Sequence, residues 1–160
     1  IEDGRFGNTV MRLIPSQNAP FLPLYEAWQS KGTELKMMSA EEAREKTGII
    51  HSKVLANRRP PYSIPGGLYD ALVDTGGFMD FATNDELERA KSLFEELEGI
   101  DIDSAAGVAT ASLIKNIKSG KVHPDAFIML NITGGGEKLF KKEHSVKYMK
   151  PMEEATLLSA

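Results

Sequence analysis

The chain has 160 residues, 41% hydrophobic and 26% charged, with a formal net charge of −4. Such a length suits one domain. The acidic balance gives no electrostatic reason to expect nucleic acid or an anionic membrane as partner, and no apolar run approaches a membrane span. With no cysteine, disulfides, thiolate nucleophiles and cysteine metal sites are excluded.

No signal-peptide pattern opens the sequence, so a cytoplasmic setting is expected. The first residue is Ile1, which points to processing or to a piece of something longer. Residues 1–8 read as a loop. Thr9 to Ile14 reads as a short strand stopped by Pro15, with loop again over Ser16–Pro20. From Phe21 to Lys31, Leu24, Tyr25, Ala27 and Trp28 have helical spacing, and Gly32 is a natural stop. Trp28 reads as a core anchor. Ser39-Ala40-Glu41-Glu42 fits a capping box, with Gly48 closing a short helix.

Residues 50–67 carry Pro60, Pro61, Pro65, Gly66 and Gly67 and read as a long loop, the kind of segment that often carries function. Arg58 and Arg59 could grip an anion with forked hydrogen bonds, although surface arginines are commoner. Leu68 to Asp74 reads as a helix ended by Gly76-Gly77. Phe78 to Ala82 alternates like a strand. Thr83-Asn84-Asp85-Glu86 is a second capping box. Behind it, Leu87, Ala90, Leu93, Phe94 and Leu97 form an apolar stripe of helical period.

Ile100–Asp103 is a short extended link, in which Asp101 reads as a solvated edge and Asp103 as a helix cap. Ser104 to Ser119 is a helix closed by Gly120. Its small residues Ala105, Ala106, Gly107 and Ala109 allow close packing. Ala126-Phe127-Ile128-Met129-Leu130 is the most apolar run. It lacks alternation, as expected of a strand covered on both faces of a parallel sheet. Three glycines, Gly134 to Gly136, end it after Asn131, Ile132 and Thr133. The carboxyl end of such a strand is where ligands bind, and the glycines would leave room for a flat ligand. The spacing is neither that of a P-loop nor that of a dinucleotide fingerprint. The three histidines, His51, His123 and His144, stand in no metal-ligand spacing, so no metal is expected. Residues 137–160 are polar, read as a terminal helix or tail. Alternating strands and helices give an α/β chain with a mostly parallel sheet flanked by helices.

One order of features carries a resemblance. A capped helix leads to Glu98-Gly99-Ile100-Asp101-Ile102-Asp103-Ser104-Ala105-Ala106. A small-residue helix, Gly120, an apolar strand and Thr133-Gly134-Gly135-Gly136 follow. This resembles the carboxyl-terminal part of fold-type II pyridoxal 5'-phosphate (PLP) enzymes of the threonine synthase group. Ser104 departs from the proline common there, which should alter only the helix entry. Within the group, Ser16 to Phe21 and Asn57-Arg58-Arg59-Pro60-Pro61-Tyr62-Ser63 through Leu72 look most like the cysteate synthases. Those methanogen enzymes replace the phosphate of phosphoserine with sulfite in coenzyme M biosynthesis.

The resemblance implies that residues 1–143 are a carboxyl-terminal part of the large catalytic domain and 144–160 a terminal helix or tail. PLP is the implied cofactor, with Thr133 donating a hydrogen bond to its ring nitrogen and Gly134 beside it. Asn57, Arg58 and Tyr62 become candidate contacts for phosphoserine and sulfite. None of the lysines stands in a Ser-Phe-Lys-like setting, so the Schiff-base lysine would lie in a missing amino-terminal half of the same enzyme. This chain alone would then hold no catalytic residue and be inactive. Oligomeric state stays open, a homo-oligomer included. The rival readings are threonine synthase, acting on phosphohomoserine, and a non-catalytic α/β ligand-binding module.

Overall fold

The computed structural model describes Arg5, Gly7 and residues 9–149. Its elements are β1 (Ser16–Asn18), α1 (Pro23–Gln29), α2 (Ala40–Ile49), a 3-10 turn (Lys53–Leu55), α3 (Leu68–Thr75), β2 (Asp80–Ala82), α4 (Asn84–Glu98), α5 (Ser104–Lys118) and α6 (Glu137–Glu143). The chain is therefore α/β. The sheet among the described residues is small: β1 and β2 pair in parallel, with Ser16 opposite Asp80 and Asn18 opposite Ala82.

Local signals explain the helices. Ser39 Oγ accepts the Glu42 N–H at 3.0 Å to start α2. At α4 the capping box is reciprocal, Thr83 Oγ1 taking the Glu86 N–H and the Glu86 carboxylate taking the Thr83 N–H. Gly76 and Gly99 end α3 and α4 in the left-handed conformation, at φ 60° and 73°. The stripe on α4 meets the small-residue face of α5. Leu87 and Ala90 bury against Val108, Ala111 and Ala82 to form the main core. At Gly107 a β-carbon would stand 2.7 Å from Lys91 Cγ and 3.2 Å from the Leu87 carbonyl. The close approach read from the sequence is thus met there. A second cluster joins Phe21, Ala43 and Ile50.

β2 is tied to α5 by a polar node. Asp80 is 5% exposed, and its carboxylate is the hub of the node. It receives Lys115 Nζ at 2.8 Å, Ser112 Oγ at 2.7 Å and the Phe81 N–H at 2.8 Å, with Asn116 Nδ2 completing the set. Burial pushes the Asp80 carboxyl up, but these donors outweigh it and hold it below the usual carboxylate range.

Several expectations are corrected. Thr9–Ile14 is irregular, and the regular strand falls on Ser16–Asn18, inside the stretch read as loop. Pro15 does not stop the pairing, because its carbonyl still accepts the Asp80 N–H at 3.0 Å. A proline lacks the donor, not the acceptor. β2 begins at Asp80, two residues late. α1 spans Pro23–Gln29 and ends before the expected Lys31, which adopts φ 55°. α2 runs through Gly48 to Ile49.

The largest correction concerns Ala126–Leu130. It forms no strand, and Phe127 and Met129 are fully or largely exposed, at 107% and 75%. A strand exists only where a neighbour takes its backbone donors and acceptors, and no described segment pairs with this one. The mostly parallel sheet is correspondingly reduced to two strands. α6 occupies the start of the expected terminal segment. Residues 144–149 are irregular, and 150–160 lie outside the described residues.

Candidate functional site

A cleft of about 740 Å³ opens between residues 51–54, one side of α4, the Asp101–Ala105 link, Thr133 and the start of α6. Its far wall rests on the glycine run. The Asp103 N–H donates to the Gly134 carbonyl at 2.9 Å, and Ile102 bridges Gly135. Each glycine has an internal reason. A β-carbon on Gly134 would collide with the Asp103 carboxylate, and one on Gly135 with the Asp101 carbonyl. Gly136 has φ 78° where α6 begins. The room that the sequence reading reserved for a ligand at Gly134 and Gly135 is filled by the chain's own Asp101–Asp103 segment.

Thr133 is exposed in the cleft and its hydroxyl bonds to no other described residue. Asp103 occupies the cap position of α5 but makes no side-chain cap bond. Its carboxylate lies against Gly134, so Asp103 is the cap residue read from the sequence and acts there through its charge at the helix start, not through a side-chain hydrogen bond. Asp101 is not merely a solvated edge. Its carboxylate accepts the Lys138 N–H at 3.3 Å and its carbonyl the Gly136 N–H at 2.8 Å, fastening the start of α6.

The opposite wall is held by two asparagines. Buried Asn18 accepts the Ser52 N–H at 3.0 Å and donates to the Ala82 carbonyl and to Asn84 Oδ1, both at 3.1 Å. Asn84 Oδ1 also takes the His51 N–H at 3.0 Å, while its amide donates to the Ile49 carbonyl. The backbone at His51 and Ser52 is thereby pinned to the ends of both strands. His51 Nδ1 then meets Glu88 Oε1 at 2.9 Å. That hydrogen bond is the main cause holding the Glu88 carboxyl below the ordinary carboxylate range, with Lys91 assisting.

The other expected contacts lie elsewhere. Asn57 and Arg58 are exposed on the proline-rich loop and do not line the cleft. Asn57 Oδ1 accepts the Arg59 N–H at 3.0 Å, making a local turn. Tyr62 is 1% exposed, lies edge-on to Tyr69, and its hydroxyl donates to the Gly32 carbonyl at 3.1 Å. Burial pushes that phenol up from its ordinary value. Tyr62 is placed as an anchor of the loop, with its hydroxyl already committed. The cleft brings Thr133 beside Asp103, which the sequence reading had taken only as a helix cap, and it adds His51, Glu88 and Asn84, which that reading missed. Asn84 sits inside a capping box, which accounted for it too easily, and His51 stood alone.

Fold and cleft define an α/β chain with a polar cleft walled by a strand-end loop, a helix start and a glycine run. No protein-family model matches the chain. It is 45% identical to the cysteate synthase of Methanosarcina barkeri over 154 residues, which is 96% of this chain and 37% of that one. It is 45% identical to the cysteate synthase of Methanosarcina mazei over 160 residues, 99% of this chain and 38% of that one. With that of Methanosarcina acetivorans it shares 47% over 151 residues. The chain is a relative of the cysteate synthases, as the resemblance implied, and it spans between a third and two-fifths of the length of these curated relatives.

Proposed function

We propose that this chain is the carboxyl-terminal portion of a PLP-dependent cysteate synthase of the fold-type II, threonine synthase-like class. The whole enzyme would be a cytoplasmic transferase serving coenzyme M biosynthesis. Net reaction breaks the bond from the serine β-carbon to the phosphate oxygen and forms a carbon–sulfur bond to sulfite. The observation that carries this reading is the near-complete coverage of the chain by cysteate synthases at 45% identity. Among the described residues no helix is long and apolar enough to cross a membrane.

The residues present fit one edge of the cofactor. Thr133 offers an unpartnered hydroxyl, which can donate to an unprotonated pyridine nitrogen. A hydroxyl, unlike a carboxylate, does not favour protonation there. The cofactor, when bound, supplies the electron sink. On this reading the rest of it is held by parts of the enzyme outside this chain. Each lysine lining the cleft is committed: Lys53 to the Thr47 and Gly48 carbonyls at 2.6 and 2.8 Å, Lys91 to Glu88 at 3.5 Å, and Lys138 to Glu95 at 2.6 Å. That supports a Schiff-base lysine in a preceding segment. The unpaired apolar run at Phe127–Met129 supports the same reading, since a longer chain would supply its missing neighbours. Asn57 and Arg58, on the loop that Tyr62 anchors, remain candidates to meet substrate anions that approach from that missing part.

The test uses a chain of the relatives' full length. It should convert phosphoserine and sulfite to cysteate with one phosphate released per turnover. The 160-residue chain alone, mixed with PLP, should show no specific imine absorbance and release no phosphate. Efficient formation of threonine from phosphohomoserine with sulfite ignored, or turnover by the short chain, would overturn the proposal.

A further inference from the structure

The proposed reaction needs an oxyanion to leave and another to enter, and nothing above assigns a residue of the cleft to either. We infer that His51 is an oxyanion contact of this cleft, presenting Nε2 to a phosphate or sulfite oxygen. The inference rests on the cysteate synthase reading for its ligand class, but its geometry stands independently.

Three observations carry it. First, the ring is held from both ends. Its backbone N–H is fixed by Asn84 and its Nδ1 by Glu88, at 3.0 and 2.9 Å. A carboxylate on Nδ1 selects the tautomer with the proton there, leaving Nε2 as the free nitrogen. Second, Nε2 has no partner among the described residues, and His51 lines the same cleft as Thr133 and the first residues of α5. Third, three of the five carboxylates that line the cleft, Glu88, Glu95 and Glu137, are each paired with a lysine. Glu88 is shared by His51 and Lys91, and the Lys138 ammonium is held by Glu95. Glu137 is paired with Lys141, which leaves Asp101, bonded only to backbone N–H groups, and Asp103, against Gly134, as the lining carboxylates without a cation of their own.

The contact works whichever partner carries the proton. A neutral Nε2 accepts the hydroxyl proton of hydrogen phosphate or hydrogen sulfite, and a protonated one donates to a bare oxygen. A surface ion pair with Glu88 would explain the Nδ1 bond alone. It would not explain why the backbone is fixed beside a shared cleft while Nε2 has no partner among the described residues.

The test reads the three histidine rings of this chain by nitrogen-15 NMR during titration with sodium phosphate, with sodium sulfite, and with sodium chloride at matched ionic strength. His51 should respond saturably to phosphate or to sulfite, while His123 and His144 follow the chloride control. Saturation by phosphate alone assigns the leaving group's contact, and saturation by sulfite alone that of the incoming nucleophile. His51→Gln should weaken the accompanying shifts of the Ser104 and Thr133 amides roughly tenfold, as expected for one charge-assisted hydrogen bond. His51 signals that only track the chloride control, or amide responses unchanged in His51→Gln, would overturn the inference. An intact His51 response in a full-length chain that ignores phosphoserine and sulfite would remove the proposed reaction and leave the oxyanion contact standing.

Discussion

Asp80→Asn tests the node that ties β2 to α5. The substitution keeps shape and volume and removes one acceptor and the charge. Four donors converge on this carboxylate, from Lys115, Ser112, Asn116 and the Phe81 backbone. An amide has one acceptor oxygen. If that oxygen serves Ser112 and Asn116, the new NH2 faces Lys115 and the Phe81 N–H; turned over, it faces the other pair. In either orientation donors oppose donors. Breaking a fully buried ion pair costs about 3–5 kcal/mol. The Lys115 side chain is 36% exposed, so its ammonium regains water, and it keeps a bond to the Phe81 carbonyl. The expected cost is therefore about 2–4 kcal/mol, read by urea unfolding at neutral pH. The carboxyl of Asp80 is depressed in the folded state. Its contribution is thus present above the unfolded value, about 3.9, and is lost as pH falls through the lower folded value. Asp80→Asn should flatten that acid limb. A cost below about 1 kcal/mol, or an unchanged acid limb, would refute the assignment of Asp80 as the organising group.

Other outcomes follow from single contacts. In the full-length enzyme, Thr133→Val should lower cofactor affinity roughly tenfold to a hundredfold, the equivalent of about 1–3 kcal/mol for an unpaired buried acceptor, with Thr133→Ser milder; cofactor titration by absorbance checks it. Thr83→Ala removes the α4 cap and should cost on the order of 1 kcal/mol, read as a lower urea midpoint. Gly135→Ala forces a methyl onto the Asp101 carbonyl, and overpacking of this kind typically costs about 1–3 kcal/mol. Hydrogen exchange at the Asp103 and Gly136 amides should quicken in that variant, whereas Gly48→Ala, with open space around it, should leave them unchanged.

The parts legible in the sequence were those decided within a few residues. Ser39 and Thr83 announced α2 and α4, Gly76 the end of α3, and the small residues of α5 its tight packing. These signals act through adjacent backbone donors and acceptors. The strands were legible only as apolar composition, because a strand's identity lies in its neighbour. Ser16–Asn18 has little apolar character, yet it pairs, since Asp80 and Ala82 come to lie beside it. Phe127–Leu130 has every apolar mark and pairs with no segment among the described residues. In the cleft, Thr133 and Asp103 could be placed by the glycine run and the helix start. His51 and Glu88 are 37 positions apart in sequence, and only the folding of the Asn18–Asn84 link brings them together.

The bare run at Phe127–Met129 also bears on how this polypeptide behaves in a tube. Short, weakly charged, apolar segments without proline are the ones from which intermolecular sheets grow. From Ala126 to Gly136 the sequence has no charged residue, and Asp125 is the nearest gatekeeper. The chain's solubility ceiling should therefore be set by these few residues. Light scattering should climb with concentration, and Met129→Lys should raise the ceiling while leaving the α4–α5 core intact.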